Sequence, residues 1–346
     1  MLPYLLLVSF VMFWIFLEKK TLNRKAFWVP LFILIVFASI RSYLVGTDTG
    51  SYTADFRNLV DPDYYIFNSD IEYGYQLLEY FLLEITHNYF WLFFITSFLI
   101  VYSYLKTIKN ISIDYALSVF IFITLGFYTF SFNGLRQGIA IALCFLSLPY
   151  FLEQKLYKYF GMVILASFFH ISAIIMLAFY LLINFLKIKL EFKLILCFIF
   201  SVILSQKIIN YMALHNERYT HYTEKSEGGG YIILAFFTLM GFIFYITNRN
   251  LRNDNIVYAK LEELYLCGIA FVVPLALLGA SASGPQRFLI YFTVLIIFLL
   301  PYTIRDLKYY LVKVFFILFG IVYFYLTTNR FSNLSPYSIN PIFEFF

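Results

Sequence analysis

The chain has 346 residues, of which 62% are hydrophobic and only 13% charged, a balance that a water-soluble surface of this size could not carry. Composition therefore excludes a soluble enzyme and requires a polytopic membrane protein. The net charge of +5 does not by itself name an anionic partner, because most lysines lie in short loops between apolar runs, where they report orientation.

The runs are continuous rather than alternating, so they read as helices and not as barrel strands, and the fold class is all-α. In chain order, membrane segments are predicted at 2–17, 27–44, 89–105, 115–132, 136–152, 158–170, 172–186, 192–210, 231–247, 263–280, 287–301 and 310–326. That makes about 11 or 12 membrane helices, depending on 158–186, which is either one long tilted helix or a broken or re-entrant pair meeting at His170. Charge separates the two readings. With two pieces, 17 of the 25 Lys and Arg fall on one side, whereas with one helix the split is 13 against 12. The positive-inside rule favours the pair and puts both termini outside the cytoplasm. A 13-residue helix rises only about 20 Å against a hydrocarbon core of roughly 30 Å. His170 is therefore expected in the outer half of the membrane, lining a cavity that opens outward.

The chain reads as one transmembrane domain, 1–346, with no repeat, no soluble module and nothing that resembles a nucleic-acid module. Leu2 to Leu17 lacks a basic leading region and a small-residue cleavage pattern, and is expected to be retained as the first helix. A long extracytoplasmic loop, 45–88, holds Asp48, Asp55, Asp61, Asp63, Asp70, Glu72, Glu79 and Glu84. Within it Gly46 to Gly50 reads as a turn, and Tyr73 to Ile85 as an interfacial helix. A second outer loop, 211–230, carries three glycines and mixed charge and reads as a flap or an ordinary connection. The three cysteines sit inside apolar runs without paired spacing, so no disulfide or zinc site is expected.

Arg136 and His170 are the leading candidates for chemistry, since an ionisable group at membrane depth costs several kcal/mol and is by default a functional hypothesis. Arg41, Arg287 and Arg218 join Arg136 at the outer ends of segments. One such arginine is explained by anchoring to headgroups. Four on the side that otherwise avoids positive charge suit a pyrophosphate, which guanidinium groups bind bidentately. His170 sits among apolar residues, where a lone histidine is more often a hydrogen-bonded core residue than a catalyst. Its ordinary pKa would nevertheless let it accept a hydroxyl proton. Asp48, Asp55 and Glu72 could orient such a base or bind sugar hydroxyls, or could simply be solvated. No HExxH spacing and no glycine-rich loop after a strand is present, so neither metal nor cofactor is expected.

Several short motifs, in order, resemble the EpsG-like, Wzy-type polysaccharide polymerases of bacterial envelopes. They are Arg41 with Asp48, Thr49 and Tyr52; Glu72 to Tyr75; Leu135 to Ala140, which includes Gln137; Ala166 to Ala173; Arg218 with Tyr219 and Tyr222; and Pro285 to Phe288. The resemblance implies a GT-C-type, metal-independent glycosyltransferase of the bacterial cytoplasmic (inner) membrane with its site facing outside. Its substrate would be an undecaprenyl pyrophosphate-linked oligosaccharide repeat unit, among membrane lipids, with a chain-length regulator as an accessory partner. By the same resemblance Arg136, Arg287 and their companions would stabilise the departing pyrophosphate, and His170 would be the general base, with an acid of the first outer loop as its rival. A flippase of lipid-linked glycans, an O-antigen ligase and a membrane O-acyltransferase remain the alternatives.

Overall fold

The computed structural model describes residues 1–215, 231–277, 285–306 and 310–343, with the side chains of 205–215, 285–286, 306, 310–312 and 331 left out. The described residues are almost all helical and form no strand, as expected of an all-α polytopic membrane protein. The helices are α1 Leu2–Leu22, α2 Trp28–Ser39, α3 Thr49–Tyr52, α4 Ala54–Arg57, α5 Tyr73–Leu83, α6 Phe90–Ile111, α7 Tyr115–Thr124, α8 Phe127–Asn133, α9 Leu135–Leu146 and α10 Leu148–Leu152. They continue with α11 Leu156–Ser167, α12 Ile175–Asn184, α13 Leu190–His215, α14 Tyr231–Thr247, α15 Arg249–Asp254, α16 Ile256–Leu277, α17 Leu289–Thr293, α18 Ile296–Asp306 and α19 Tyr310–Leu326. Leu2–Leu22, Phe90–Ile111 and the kinked span Tyr115–Asn133 are long and apolar enough to cross a membrane, and several shorter apolar helices accompany them.

Every predicted segment meets a helix, and the differences have local causes. α1 runs past its apolar stretch to a left-handed Asn23, whose N–H returns to the Glu18 carbonyl, with Lys19 and Lys20 in the last turn where the helix dipole favours cations. The predicted span 115–132 is split by Gly126 at φ +82°, a conformation that costs glycine little. The span 136–152 is interrupted at Ser147, whose hydroxyl donates to the Cys144 carbonyl. The expected break in 158–186 is present. α11 ends at Ser167, a turn carries Phe168 to His170, and a 3-10 turn, Ile171–Ile174, precedes α12.

The chain divides into two compact units. The first comprises 1–150, 155–174 and 304–346. Its centre is α9, buried at ten of twelve positions and packed on α6, α8, α11 and the 171–174 turn. The C-terminal tail closes this unit from outside the helices. Ser42 N–H donates to Ser338 O at 2.9 Å, Asn340 N–H to Ile40 O at 2.8 Å, and Gly46 N–H to Asn333 O at 3.0 Å, while the Tyr4 hydroxyl reaches Leu334 O at 2.8 Å. Two rings of the tail pack on the rest of the protein, Tyr337 stacking on Phe37 at 4.4 Å and Phe343 meeting Phe90 at 5.2 Å.

The second unit, 151–154 and 175–303, is organised on α16, which packs on α12, α13, α14, α15 and α17. Its polar core is a network at the start of α16. Fully buried Glu262 pairs with Arg252 and accepts from the Tyr258 hydroxyl at 3.2 Å, and Asn248 donates to Tyr258 and to Thr303 at 2.8 and 2.7 Å. Lys193 is likewise paired with Glu263 at 2.7 Å. Pairing and hydrogen bonds of this kind offset much of the desolvation penalty that isolated buried charges would carry.

Candidate active site at a broken helix

The candidate site lies within the first unit and begins at the junction of α8 and α9. Gly134 ends one helix and opens the next, so Arg136 stands in the first turn of α9. The loop before it is pinned by Gly46 and Thr49. Gly46 has φ +110°, and a Cβ there would lie 2.4 Å from Asn133 Oδ1. Thr49 is fully buried, its hydroxyl 2.6 Å from Val45 O and 3.0 Å from Phe132 O. Asn133 joins loop and tail by accepting from Thr47 N–H at 2.9 Å and donating to Ser332 O at 2.7 Å.

Arg41 supports this junction from inside. It is 1% exposed, its guanidinium sandwiched 3.7 Å from the Phe93 ring and 4.3 Å from the Phe132 ring, and it donates to the Ala38 carbonyl. A desolvated cation between two aromatic faces gains on the order of 2 kcal/mol. Arg41 is thus enclosed beneath the loop rather than set on an open wall.

Arg136 reaches the opposite way. It forms an ion pair with Glu72 and hydrogen-bonds the Tyr52 hydroxyl, and its side chain is 19% exposed. Glu72 also accepts the Ile171 N–H at 3.3 Å, immediately after His170. The start of α5 is latched to the same break, since Gly74 N–H donates to Phe168 O at 2.9 Å and a Cβ at Gly74 would lie 2.6 Å from that oxygen. Only glycine permits this approach. Gln76, 1% exposed, fixes the strand of loop that delivers Glu72 by bonding Asn68 N, Asn68 O and Ile71 O at 2.6–2.8 Å. Segments 41–52, 72–76, 135–137 and 168–172, far apart in sequence, therefore meet in one place.

His170 is half-buried, with Nδ1 2.6 Å from Ser172 Oγ and 3.4 Å from the Ser172 N–H. Gln137 is buried on α9 next to Arg136. Asp48 precedes α3 and lies 2.9 Å from the Thr47 hydroxyl. Asp55 lies on α4, partly buried, and burial raises its carboxyl above the usual range. Arg287 belongs to the second unit, on the 3-10 turn Pro285–Phe288 that opens α17. Arg218, Tyr219 and Tyr222 fall outside the described residues.

Three residues were not proposed as site residues from sequence: Tyr65, Tyr75, which appears there only as the end of the Glu72 to Tyr75 motif, and Glu79, named only among the loop acids. Glu79 is 6% exposed and accepts from the Tyr65 hydroxyl at 3.0 Å. Burial pushes its carboxyl up to about 7, with Asp55 adding to the rise while the Tyr65 bond and Arg136 oppose it. Tyr75 packs on Tyr52 at 5.7 Å, and its hydroxyl has no hydrogen-bond partner. The available signal was spacing, since Tyr75, Glu79 and Leu82 recur at helical intervals. An Asp-x-Asp pair, Asp61 and Asp63, is also present, but Asp61 is engaged in accepting the Asp63 N–H at 3.1 Å. Among the described residues no three His, Cys, Asp or Glu side chains gather as a metal site would require.

No curated protein and no solved structure matches the chain. The model of the EpsG family matches residues 24–339, a span that contains every segment meeting at the Arg136 cluster. The chain belongs to the EpsG family, and with it to the membrane proteins of polysaccharide polymerisation.

Proposed function

We propose that the chain polymerises oligosaccharide repeat units carried on a lipid pyrophosphate, undecaprenyl pyrophosphate in a bacterial cytoplasmic membrane. In the transfer, an acceptor sugar hydroxyl attacks the anomeric carbon of the growing glycan. The bond to the carrier oxygen breaks and the lipid pyrophosphate departs with the electron pair. The observation that carries this reading is the Arg136 cluster: an arginine whose side chain is one-fifth exposed, held by Glu72 and Tyr52, at the first turn of a buried helix and beside a break at His170.

Charge develops on the leaving oxygen, and a preorganised guanidinium stabilises it more in the transition state than in the ground state. The first-turn N–H groups of α9 add partial positive charge at the same end. His170 borders the cluster and offers a hydrogen-bond donor to sugar or phosphate. Arg287 and Arg218 are assigned to binding the pyrophosphates of the two substrates, and Asp48, Asp55 and Gln137 to sugar hydroxyls. The site faces outward, a placement supported by the bias of Lys and Arg toward the opposite loops. α5 fits an interfacial helix, because Tyr73, Leu77 and Phe81 form an exposed apolar stripe opposite its buried face. The architecture we assign is of the GT-C type, and the chemistry requires no metal.

The test is a gel assay of purified protein with its lipid-linked repeat unit in the presence of chelator. A ladder from wild type that Arg136→Ala abolishes supports the reading. A ladder that requires added divalent cation contradicts its metal independence.

A further inference from the structure

The acceptor hydroxyl must lose a proton, and three of the groups that sequence nominates to take it, His170, Glu72 and Asp48, are engaged otherwise, while Asp55 lies on α4 with no described tyrosine hydroxyl bonded to its carboxylate. His170 Nδ1 accepts the Ser172 N–H at 3.4 Å and lies 2.6 Å from the Ser172 hydroxyl, so the neutral ring keeps its proton on Nε2. With its proton on Nε2, the ring donates there rather than accepts. Glu72 holds Arg136 and the Ile171 N–H, and Asp48 accepts from Thr47.

Glu79 differs in each respect. It lies one turn beyond Tyr75 on the buried face of α5, with Oε2 taking the Tyr65 hydroxyl, and no described residue hydrogen-bonds Oε1. The Tyr75 hydroxyl, on a residue 3% exposed, is also unpartnered, and the two groups are close enough to interact electrostatically. A buried hydroxyl without a partner, as on Tyr75, is rare in folded proteins and calls for a specific explanation. A hydroxyl of a bound sugar satisfies both, donating to the carboxylate and accepting from the phenol. The groups that face Glu79 are Tyr65, Tyr75, Asp55 and Arg136. The cation among them is the residue assigned to the pyrophosphate, which sets the proton acceptor beside the leaving group.

We propose that Glu79 is the general base of the glycosyl transfer, its Oε1 accepting the proton of the acceptor sugar hydroxyl while the Tyr75 hydroxyl hydrogen-bonds the same oxygen. This rests on the polymerase reading above. As the acceptor oxygen bonds to the anomeric carbon, its proton passes to the carboxylate, and the carbon's bond to the carrier phosphate breaks with its electrons on the departing pyrophosphate. Burial that makes the carboxylate more basic suits it to this task at neutral pH.

The experiment measures ladder formation from the lipid pyrophosphate-linked repeat unit between pH 5.5 and 9 for wild type, Glu79→Gln, Glu79→Asp, Tyr75→Phe and His170→Asn. Wild type is expected to lose rate about tenfold per pH unit below a midpoint near 7, following one carboxylate. Glu79→Gln is expected to lose about 100-fold or more at every pH while still binding the substrate. Glu79→Asp and Tyr75→Phe should keep an acid limb displaced in midpoint, and His170→Asn should keep the limb where wild type has it. Glu79→Gln within tenfold of wild type, or a limb that vanishes in His170→Asn, overturns the assignment and leaves the polymerase reading standing. An inactive wild type given verified substrate overturns both. Should Glu79→Gln fail to fold, the midpoint in Glu79→Asp decides, and an unmoved midpoint overturns the assignment.

Discussion

Replacing Gly74 with alanine separates the latch between α5 and the His170 break from ordinary helix propensity. On propensity alone, alanine in a helix is worth up to about 1 kcal/mol over glycine, so the substitution should stabilise. The structure predicts the opposite. The new Cβ would lie 2.6 Å from Phe168 O and 2.9 Å from both Phe168 C and Cβ, and the first two of these are backbone atoms that cannot swing aside. Relief requires α5 to retreat from the break, which lengthens the Gly74 N–H bond to Phe168 O and the Ile171 N–H bond to Glu72. Two hydrogen bonds at about 0.5–1.5 kcal/mol each, plus about 1–3 kcal/mol of overpacking, outweigh the propensity gain. The net is about 1–5 kcal/mol of destabilisation. Thermal unfolding of the purified protein in one detergent measures it, with Gly161→Ala as a control, because nothing lies within 4 Å of a Cβ at Gly161. If Gly74→Ala unfolds at or above the wild-type temperature while Gly161→Ala behaves normally, α5 does not sit against Phe168.

Other substitutions probe other parts of the account. Gly268→Ala in the second unit would place a Cβ 1.9 Å from Phe292 Cγ, and is expected to cost about 3 kcal/mol or more in thermal unfolding. Arg41→Lys keeps the charge but loses the planar stack between Phe93 and Phe132, and should destabilise by about 2 kcal/mol without moving the pH profile of activity. Glu79 gives a pH signature in stability. Its native carboxyl is raised to about 7, so between the unfolded value and 7 the folded chain binds more protons, and stability falls as pH rises through that window. Glu79→Gln removes this loss, and at pH 8 the variant should be up to about 3 kcal/mol more stable than wild type, with little difference at pH 4. Equal stability of the two proteins across that range would show that Glu79 is not held in a desolvated site.

Much of the helical order was legible because it depends on the local pattern. Each apolar run became a helix, and the break at His170 followed from charge counting over the loops, a whole-chain property that needs no coordinates. What composition could not supply was the direction of side chains in the first outer loop. α5 carries two candidate faces, Tyr73, Leu77 and Phe81 on one side and Tyr75, Glu79 and Leu82 on the other. By hydrophobicity the first looks like the better core face, yet it is the exposed one. The buried face meets Tyr52, Tyr65, Asp55 and Arg136, side chains whose approach no local pattern encodes, so Glu79 read as one more loop acid. Arg41 misled in the converse way. A cation at a segment end suggests a headgroup or a ligand, whereas its partners are the rings of Phe93 and Phe132, more than fifty residues away. The latch at Gly74 was visible only as a glycine in a short motif, since the Phe168 carbonyl that requires it is ninety-four residues on.

We assign the Arg136 cluster to holding the pyrophosphate of a lipid-linked glycan. The most direct measurement is binding of the lipid pyrophosphate-linked repeat unit to purified wild type, Arg136→Ala and Arg136→Lys, with Glu72→Gln as a control that keeps the guanidinium but removes its ion-pair partner. Wild type is expected to bind tightly, Arg136→Ala to lose more than about tenfold, Arg136→Lys to recover part of the loss and Glu72→Gln to retain binding, because a guanidinium's bidentate grip on phosphate is only imperfectly replaced by an ammonium. Unchanged binding in Arg136→Ala, with the variant folded as wild type, would contradict this assignment.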